Sequence, residues 1–328
     1  MSGIRRNIIN AATGIIIGGF FLYLTLRNQA LDRILELLST ARTGWILLVI
    51  AFLIIMFFFR AYRWRLLIRN SGKYPDIGNI SYSLLLGFFI NSFTPKLGEI
   101  IRCTSLKKSS GIKVSRSFGT VITERFYDLL ILILAVLIIM ALEFRRLGGL
   151  LETAKTSIIS TVSENYLVLI FIISGLLVTA AILVYLFKRF GVMEKIRIFL
   201  KDFLLTVKQT FRIKSYGIFT FQTLMIWLMM VLMNYCCLRA LPSTDNLSLY
   251  FAFVALFIGT IGWAIPSPGG IGTTHFFVLQ LFILFNMSPE TGITYGLLVN
   301  GITVVFTIAA GLLTITIVKS IRMARQLK

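Results

Sequence analysis

Ile80-Ser-Tyr-Ser-Leu-Leu-Leu-Gly-Phe-Phe-Ile-Asn91-Ser-Phe-Thr-Pro95 is apolar, short, and interrupted by Asn91 and Pro95. A spanning helix takes about 20 apolar residues. The flanks of this stretch decide how it sits. Loop 60–79 carries Arg60, Arg63, Arg65, Arg69 and Lys73 against Asp76 alone. Segment 96–125 carries Lys96, Arg102, Lys107, Lys108, Lys113, Arg116 and Arg125 against Glu99 and Glu124. Excess Lys and Arg beside apolar segments marks the cytoplasmic side, so both flanks lie inside. Residues 80–95 are therefore expected to enter the membrane and return on the same side, as a re-entrant hairpin. Lipid cannot satisfy its broken backbone, which must be covered by protein or line a wet cavity.

The composition agrees with a bilayer as solvent. Hydrophobic residues make up 57% and charged residues 14% of the 328 positions, and the mean hydropathy is +0.88. A soluble domain carries about 25% charged residues. The net charge of +20 reads as basic loops beside an anionic leaflet, and no nucleic acid is expected as a partner. Cys103, Cys236 and Cys237 with the lone His275 give neither a disulfide framework nor the roughly four ligands of a structural zinc site. No metal or other cofactor is expected. Arg5 and Arg6 precede an apolar run to about residue 26 without a small-residue cleavage site, so that run is expected to be a retained first helix.

Apolar runs at 8–26, 44–59, 126–142, 166–187, 216–238 and 292–318 are the expected full spans. Loop 188–214 and the tail after 318 are basic, while 27–43, 143–165 and 239–248 are close to neutral. The first group and both termini belong in the cytoplasm, and the second group outside. The apolar stretch 249–286 is broken by Pro266-Ser-Pro-Gly-Gly-Ile-Gly272. Parity allows one hairpin or two crossings there, and the Pro-Gly tip favours the hairpin. The expected fold is all-α, a polytopic membrane helix bundle of about six spans plus two re-entrant hairpins. Halves 1–143 and 166–318 then share an order of helix, helix, hairpin, helix in opposite orientation, an inverted repeat as in secondary transporters. Loop 188–214 reads as an amphipathic interfacial helix with Phe199, Phe203, Leu204 and Val207 on one side.

Polar groups at membrane depth are costly, so they are candidates for function. In Asn91-Ser-Phe-Thr-Pro95-Lys96-Leu-Gly98-Glu99-Ile-Ile-Arg102, Lys96 and Arg102 can hold a phosphate while Glu99, at i,i+3, orients the arginine. The alternative is an interfacial hairpin anchored by snorkelling charges. In Gly119-Thr-Val-Ile-Thr-Glu124-Arg125-Phe-Tyr-Asp128, two carboxylates share a helical face beside an arginine. That suits a headgroup or proton-linked site, or simply acids at a helix start with a local ion pair. In the third cluster, Pro266, Gly269, Gly270, Gly272 and Thr273 can present backbone N–H groups to an anion at a helix start, with Thr273 as the cap. A tight turn between apolar helices is the alternative. His275 reads as a hydrogen-bonded packing residue, and Arg60-Ala-Tyr-Arg63-Trp64-Arg65 as an interfacial anchor or a gathering point for anionic lipid. No Walker loop, nucleophile elbow or catalytic metal motif occurs.

The Arg60-Ala-Tyr-Arg63-Trp64 run, the two clusters at 91–102 and 119–128, and Pro266-Ser-Pro-Gly-Gly-Ile-Gly272 together resemble the flippase-like membrane domain of the lysylphosphatidylglycerol synthase family. The resemblance covers nearly the whole chain. It implies a polytopic domain that moves a phospholipid or lipid-linked headgroup between leaflets. In full-length synthases a soluble domain transfers an aminoacyl group from tRNA to lipid. The sequence stops at Lys328 without room for one, so that activity is not carried over. Family members often place a glutamate just after the Pro-Gly-Gly-Ile-Gly turn, where this sequence has Thr273, Thr274 and His275.

The expected function is thus an ATP-independent translocase for an anionic phospholipid or lipid-linked substrate, in the cell membrane. Its polar cavity would form between two hairpins. Alternatives are a membrane enzyme acting on lipid-linked sugars, with Glu99, Glu124 or Asp128 as base, or a non-catalytic partner of a lipid-modifying enzyme. A homo-oligomer is also open.

Overall fold

In the computed structural model, the described residues are 2–27, 29–70, 73–144, 201, 204–205 and 215–326; side chains are described from residue 13 to 318 within these. Every regular element among them is helical. In chain order these are α1 (Ser2–Leu26), α2 (Leu31–Ser39), α3 (Thr43–Asn70), α4 (Ile77–Phe93), α5 (Gly98–Ser110) and α6 (Val114–Leu142). After 144 come α7 (Tyr216–Ala240), α8 (Leu249–Ala264), a short 3-10 turn at Pro268–Gly270, α9 (Thr273–Leu284) and α10 (Pro289–Gln326). The expected span 166–187 and interfacial helix 188–214 lie outside the described residues, apart from the helical positions 201, 204 and 205.

Thr43–Arg69, Val114–Leu142, Tyr216–Ala240 and Pro289–Val318 are each long and apolar enough to cross a membrane. They contain the expected spans 44–59, 126–142, 216–238 and 292–318. The apolar run of α1 is described from Thr13 to Leu26. Outward-facing Leu47, Ile54 and Phe58 on α3, Leu134 and Leu137 on α6, and Leu312 and Leu313 on α10 are exposed large apolar side chains. They suit contact with acyl chains. Threonines within helices bond back to the carbonyl four residues earlier, as Thr25 does to Phe21 O and Thr260 to Leu256 O. Their hydroxyls thus need no water.

Residues 80–95 form one leg of a longer helical hairpin. Asp76 caps α4 by accepting from Gly78 N at 2.7 Å. Pro95 lacks an N–H and ends the helix, and α5 runs back along α4. The legs meet at Gly87 and Gly98, where a Cβ on either would collide with the other's backbone. Ser83 bonds Ser105 at 3.1 Å near the base. Stretch 249–286 is a second hairpin. Ser248 caps α8 by accepting from Phe251 N, Pro266 follows its end, and α9 packs back on it with Gly262 against Thr273. The turn between them needs left-handed backbone at Gly269, Gly270 and Gly272, with φ of 59°, 75° and 83°, which glycine adopts without a Cβ penalty. The 17 residues of α4 span about 25 Å and the 12 of α9 about 18 Å, against a hydrocarbon core of about 30 Å.

The hairpins enter from opposite ends of the bundle. Near the start of α4, Arg65 Nε donates to Pro75 O, close to the end of α3. At the start of α8, Tyr250 Oη donates to Glu143 at 3.1 Å, just past the end of α6. Arg42 pairs with Asp245 at 3.0 Å, so loops 27–43 and 239–248 share an end, as charge parity demands. The tips meet beside α1 and α10. Pro95 lies against Gly14, and Gly272, Ser267 and Pro268 lie against Gly18, one turn along α1. Small residues four apart let backbones approach closely. Ser92 Oγ and Thr307 Oγ1 are 3.1 Å apart, and Asn300 donates to Gly269 O at 2.9 Å.

The main apolar core unites α3, α4, α7 and α8, with α5, α6, α9 and α10 around them. Trp64 and Ile80 are fully buried, and Trp227 stacks on Phe257 with ring centroids 4.9 Å apart. This packing brings α3 against α6 and α5, and so joins charges far apart in sequence.

Candidate functional site

The turn at Pro95–Leu97 starts α5 so that Glu99 and Arg102 share a face. Their side chains pair at 2.9 Å. Facing them, α6 presents Glu124, Arg125 and Asp128. Arg102 Nη2 donates to Glu124 Oε2 at 2.9 Å, Arg125 Nη2 reaches Glu99 Oε1 at 3.0 Å, and Arg125 Nη1 reaches Asp128 Oδ2 at 3.4 Å. From α3, Arg63 completes the set. It lies 2.8 Å from Asp128 Oδ1, and its Nε is 3.7 Å from Glu124 Oε1. The result is a closed ring in which the signs alternate: Asp128, Arg63, Glu124, Arg102, Glu99, Arg125 and back to Asp128.

Removing such charges from water costs several kcal/mol per ion, which only close pairing and further hydrogen bonds offset. The second layer provides these. Arg63 Nη1 also donates to Thr223 Oγ1 at 3.3 Å. The Arg102 guanidinium lies 4.8 Å from the centre of the Trp64 ring, and Trp64 Nε1 donates to Thr120 Oγ1 at 3.0 Å. Burial is graded around the ring. The side chains of Arg63, Arg102 and Glu124 are at most 4% exposed, whereas Glu99 is 18% and Arg125 33% exposed. The open edge adjoins a recess lined by Gly87, Phe88, Asn91 and Gly98 together with Glu99, Arg102 and Arg125. Asn91 Oδ1 accepts from Gly98 N at 2.8 Å, which ties the end of α4 to the start of α5.

Two of the three sequence clusters therefore form one site, containing Glu99, Arg102, Glu124, Arg125 and Asp128, with Asn91 on its wall. Lys96 lies elsewhere, at the junction of the tips. Its backbone is left-handed, with φ of 61°. Its Nζ donates to Trp263 O at 2.9 Å and sits 3.4 Å from the Trp263 ring centre. The third cluster lies on the far side of that junction. Gly270 N bonds Ser267 O, and Gly272 N bonds His275 Nδ1 at 3.1 Å, so the turn uses these N–H groups itself. Pro266 is exposed. Thr273 was expected as the helix cap, but Gly272 holds that position. The Thr273 hydroxyl instead meets Ser267 Oγ at 2.8 Å, because the sharp Gly turn points it back into the loop. His275 is 3% exposed and packs, as its sequence setting suggested.

The Arg60–Arg65 run is not simply an interfacial anchor. Tyr62 faces outward, but Arg63 is 1% and Trp64 0% exposed. Helical spacing alone does not distinguish these faces, since the whole neighbourhood is apolar. The available signal is acidic: Glu124 and Asp128 at membrane depth need cations. Trp263 and Asn300, which hold the tips together, carried no comparable signal.

A helical membrane bundle with two opposed hairpins and a charge ring joining α3, α5 and α6 defines a class of polytopic membrane proteins. Its family follows from comparison. The profile of the lysylphosphatidylglycerol synthase TM region matches residues 11–311, and the chain belongs to that family. A UPF0104 membrane protein of Pyrococcus horikoshii is 26% identical over 87% of this chain and 90% of its own. One of Methanothermobacter thermautotrophicus is 24% identical over 74% and 75%. One of Methanocaldococcus jannaschii is 29% identical over 35% of each chain, so the match spans about a third of that relative. No solved structure matches the chain.

Proposed function

We propose that this multi-pass membrane protein is a lipid translocase that needs no nucleotide. It moves an anionic phospholipid or lipid-linked headgroup between leaflets of the cell membrane, with both termini cytoplasmic. The two hairpins are read as re-entrant, and the halves 1–143 and 166–318 as an inverted repeat that rocks about their tips. The observation that carries this reading is the position of the open ring edge. Glu99 and Arg125 face a recess beside the α4–α5 hairpin, inside a bundle whose outer surface is apolar. Once widened by movement of the hairpins, such a recess would shield a headgroup while acyl tails remain in lipid. Within it, Arg125 meets the phosphate, Glu99 orients Arg125, and Arg102, Glu124 and Asp128 hold the ring. Lys96, Pro266, Gly269, Gly270, Gly272 and Thr273 shape the tip junction through which the headgroup passes. The reading as an enzyme on lipid-linked sugars is less well supported: each carboxylate that would serve as base is already paired with arginine.

The test is leaflet exchange of a quenchable anionic phospholipid in liposomes holding the purified chain, with Arg125→Gln beside it. Arg125 is chosen because its partial exposure makes folding least dependent on it. Protein-dependent exchange that falls several-fold in the variant supports the reading. Absence of exchange for anionic, zwitterionic and polyprenyl-phosphate lipids sinks it in favour of an enzyme or a partner protein.

A further inference from the structure

The ring contains three guanidinium groups and three carboxylates, and so closes without net charge. A fourth arginine lies beside it. Arg60 is one helical turn before Arg63 on α3 and is half-buried. Among the described residues it has no carboxylate partner. Its Nη2 donates to a thioether, Met230 Sδ, at 3.6 Å. Its guanidinium carbon lies 5.5 Å from the centre of the Phe88 ring. Its Nε is buried with no hydrogen-bond partner. Phe88 also lines the recess that Arg125 and Glu99 border. Arg60 feels the charges of the ring, Asp128 most strongly and then Arg125, Arg63 and Glu124, and acts in turn on Glu99.

A soft sulfur and an aromatic face hold a guanidinium in place without neutralising it. A planar fork of donors matches two phosphoryl oxygens. One uncompensated positive charge matches one negative charge. We propose that Arg60 is an anion-binding position, beside the Phe88 ring and Met230, for the phosphoryl oxygens of a singly charged phosphodiester or of phosphate. The ring beside it stays closed and serves to keep Arg60 from finding an internal carboxylate. This rests on the translocase reading only for the source of the phosphoryl group, not for the site itself.

Two variants of the full chain in detergent test it. Arg60→Gln removes the charge. Met230→Glu leaves Arg60 in place and gives it an internal carboxylate. The probes are micelles doped with phosphatidylglycerol, micelles doped with phosphatidylcholine, and inorganic phosphate, read by thermal shift and by binding titration. In the wild type, phosphatidylglycerol raises Tm and phosphatidylcholine does less. Both variants lose that rise and bind phosphatidylglycerol about tenfold more weakly. Without lipid, their Tm is not lowered, because an unpaired charge has been removed or paired. An Arg60-dependent shift from inorganic phosphate alone supports the site and assigns it to a free anion. A phosphatidylglycerol shift that persists in both variants overturns the site. Leaflet exchange separates the two proposals. Exchange retained in both variants leaves the translocase and discards the Arg60 site. Arg60-dependent binding without any exchange does the reverse.

Discussion

Arg63 on α3 and Asp128 on α6, 65 positions apart, form a two-bond ion pair, with Nη1–Oδ1 at 2.8 Å and Nη2–Oδ2 at 3.2 Å. The pair joins two long helices and closes the charge ring at its inner edge. Arg63 is 1% exposed, so its charge has no access to water when the partner is lost.

Asp128→Asn should therefore destabilise the protein by about 3–5 kcal/mol, the usual cost of breaking a buried ion pair, since the carboxylate contact then left to Arg63 is the longer one to Glu124, at 3.7 Å. The double variant Arg63→Met with Asp128→Leu should recover most of that loss, since neither charge remains. Thermal unfolding in detergent measures both. Equal destabilisation in the single and double variants would show that the pair is held for packing rather than charge.

Gly98→Ala places a Cβ into Gly87 O, which forces α4 and α5 apart. Overpacking of this kind costs about 1–3 kcal/mol. Gly217→Ala, at a position with nothing within 4 Å of a new Cβ, is the matched control and should leave Tm within error. A Gly98→Ala protein as stable as the control would contradict the close hairpin.

Lys96 links the hairpin tips through the Trp263 carbonyl and ring. Lys96→Met loses both contacts, while Trp263→Phe keeps the carbonyl and a weaker ring. The first should cost more stability than the second. A double-mutant cycle should return a coupling of about 0.5–2 kcal/mol; a coupling of zero would mean that the tips are held by their contacts with Gly14 and Gly18 on α1 and with Asn300 and Thr307 on α10.

Topology can be read by labelling in sealed vesicles with an impermeant maleimide. Cys103, Cys236 and Cys237 are buried, which keeps background low. Ser39→Cys and Ser243→Cys lie at exposed positions of one end, and Lys73→Cys and Lys108→Cys at exposed positions of the other. The first two should label from one side and the last two from the opposite side. Mixed labelling within a pair would break the hairpin arrangement.

The sequence by itself determined the helical membrane class, because continuous apolar runs such as 216–238 and 292–318 are long enough to span as helices and lack the short alternating pattern of barrel strands. It also marked both hairpins. Pro95 and Pro266 cannot continue a helix, and the hairpin read within 80–95 proves longer, with 80–95 as one leg and α5 as the other. The local pairs within α5 and α6 were legible as well, since residues three or four apart meet on one helical turn. The tertiary structure decided what those pairs join. Arg63 read as an anchor because a basic residue at the end of an apolar run suits an interface. Only the packing of α3 against α6 turned it inward to Asp128 and Glu124. Lys96 read as a phosphate ligand because it precedes Glu99 and Arg102. The tertiary structure adds that its backbone at the tip is left-handed and that its ammonium bonds the Trp263 carbonyl. Helical periodicity assigns a residue to a face of its own helix, and long-range packing alone selects the neighbour that face meets.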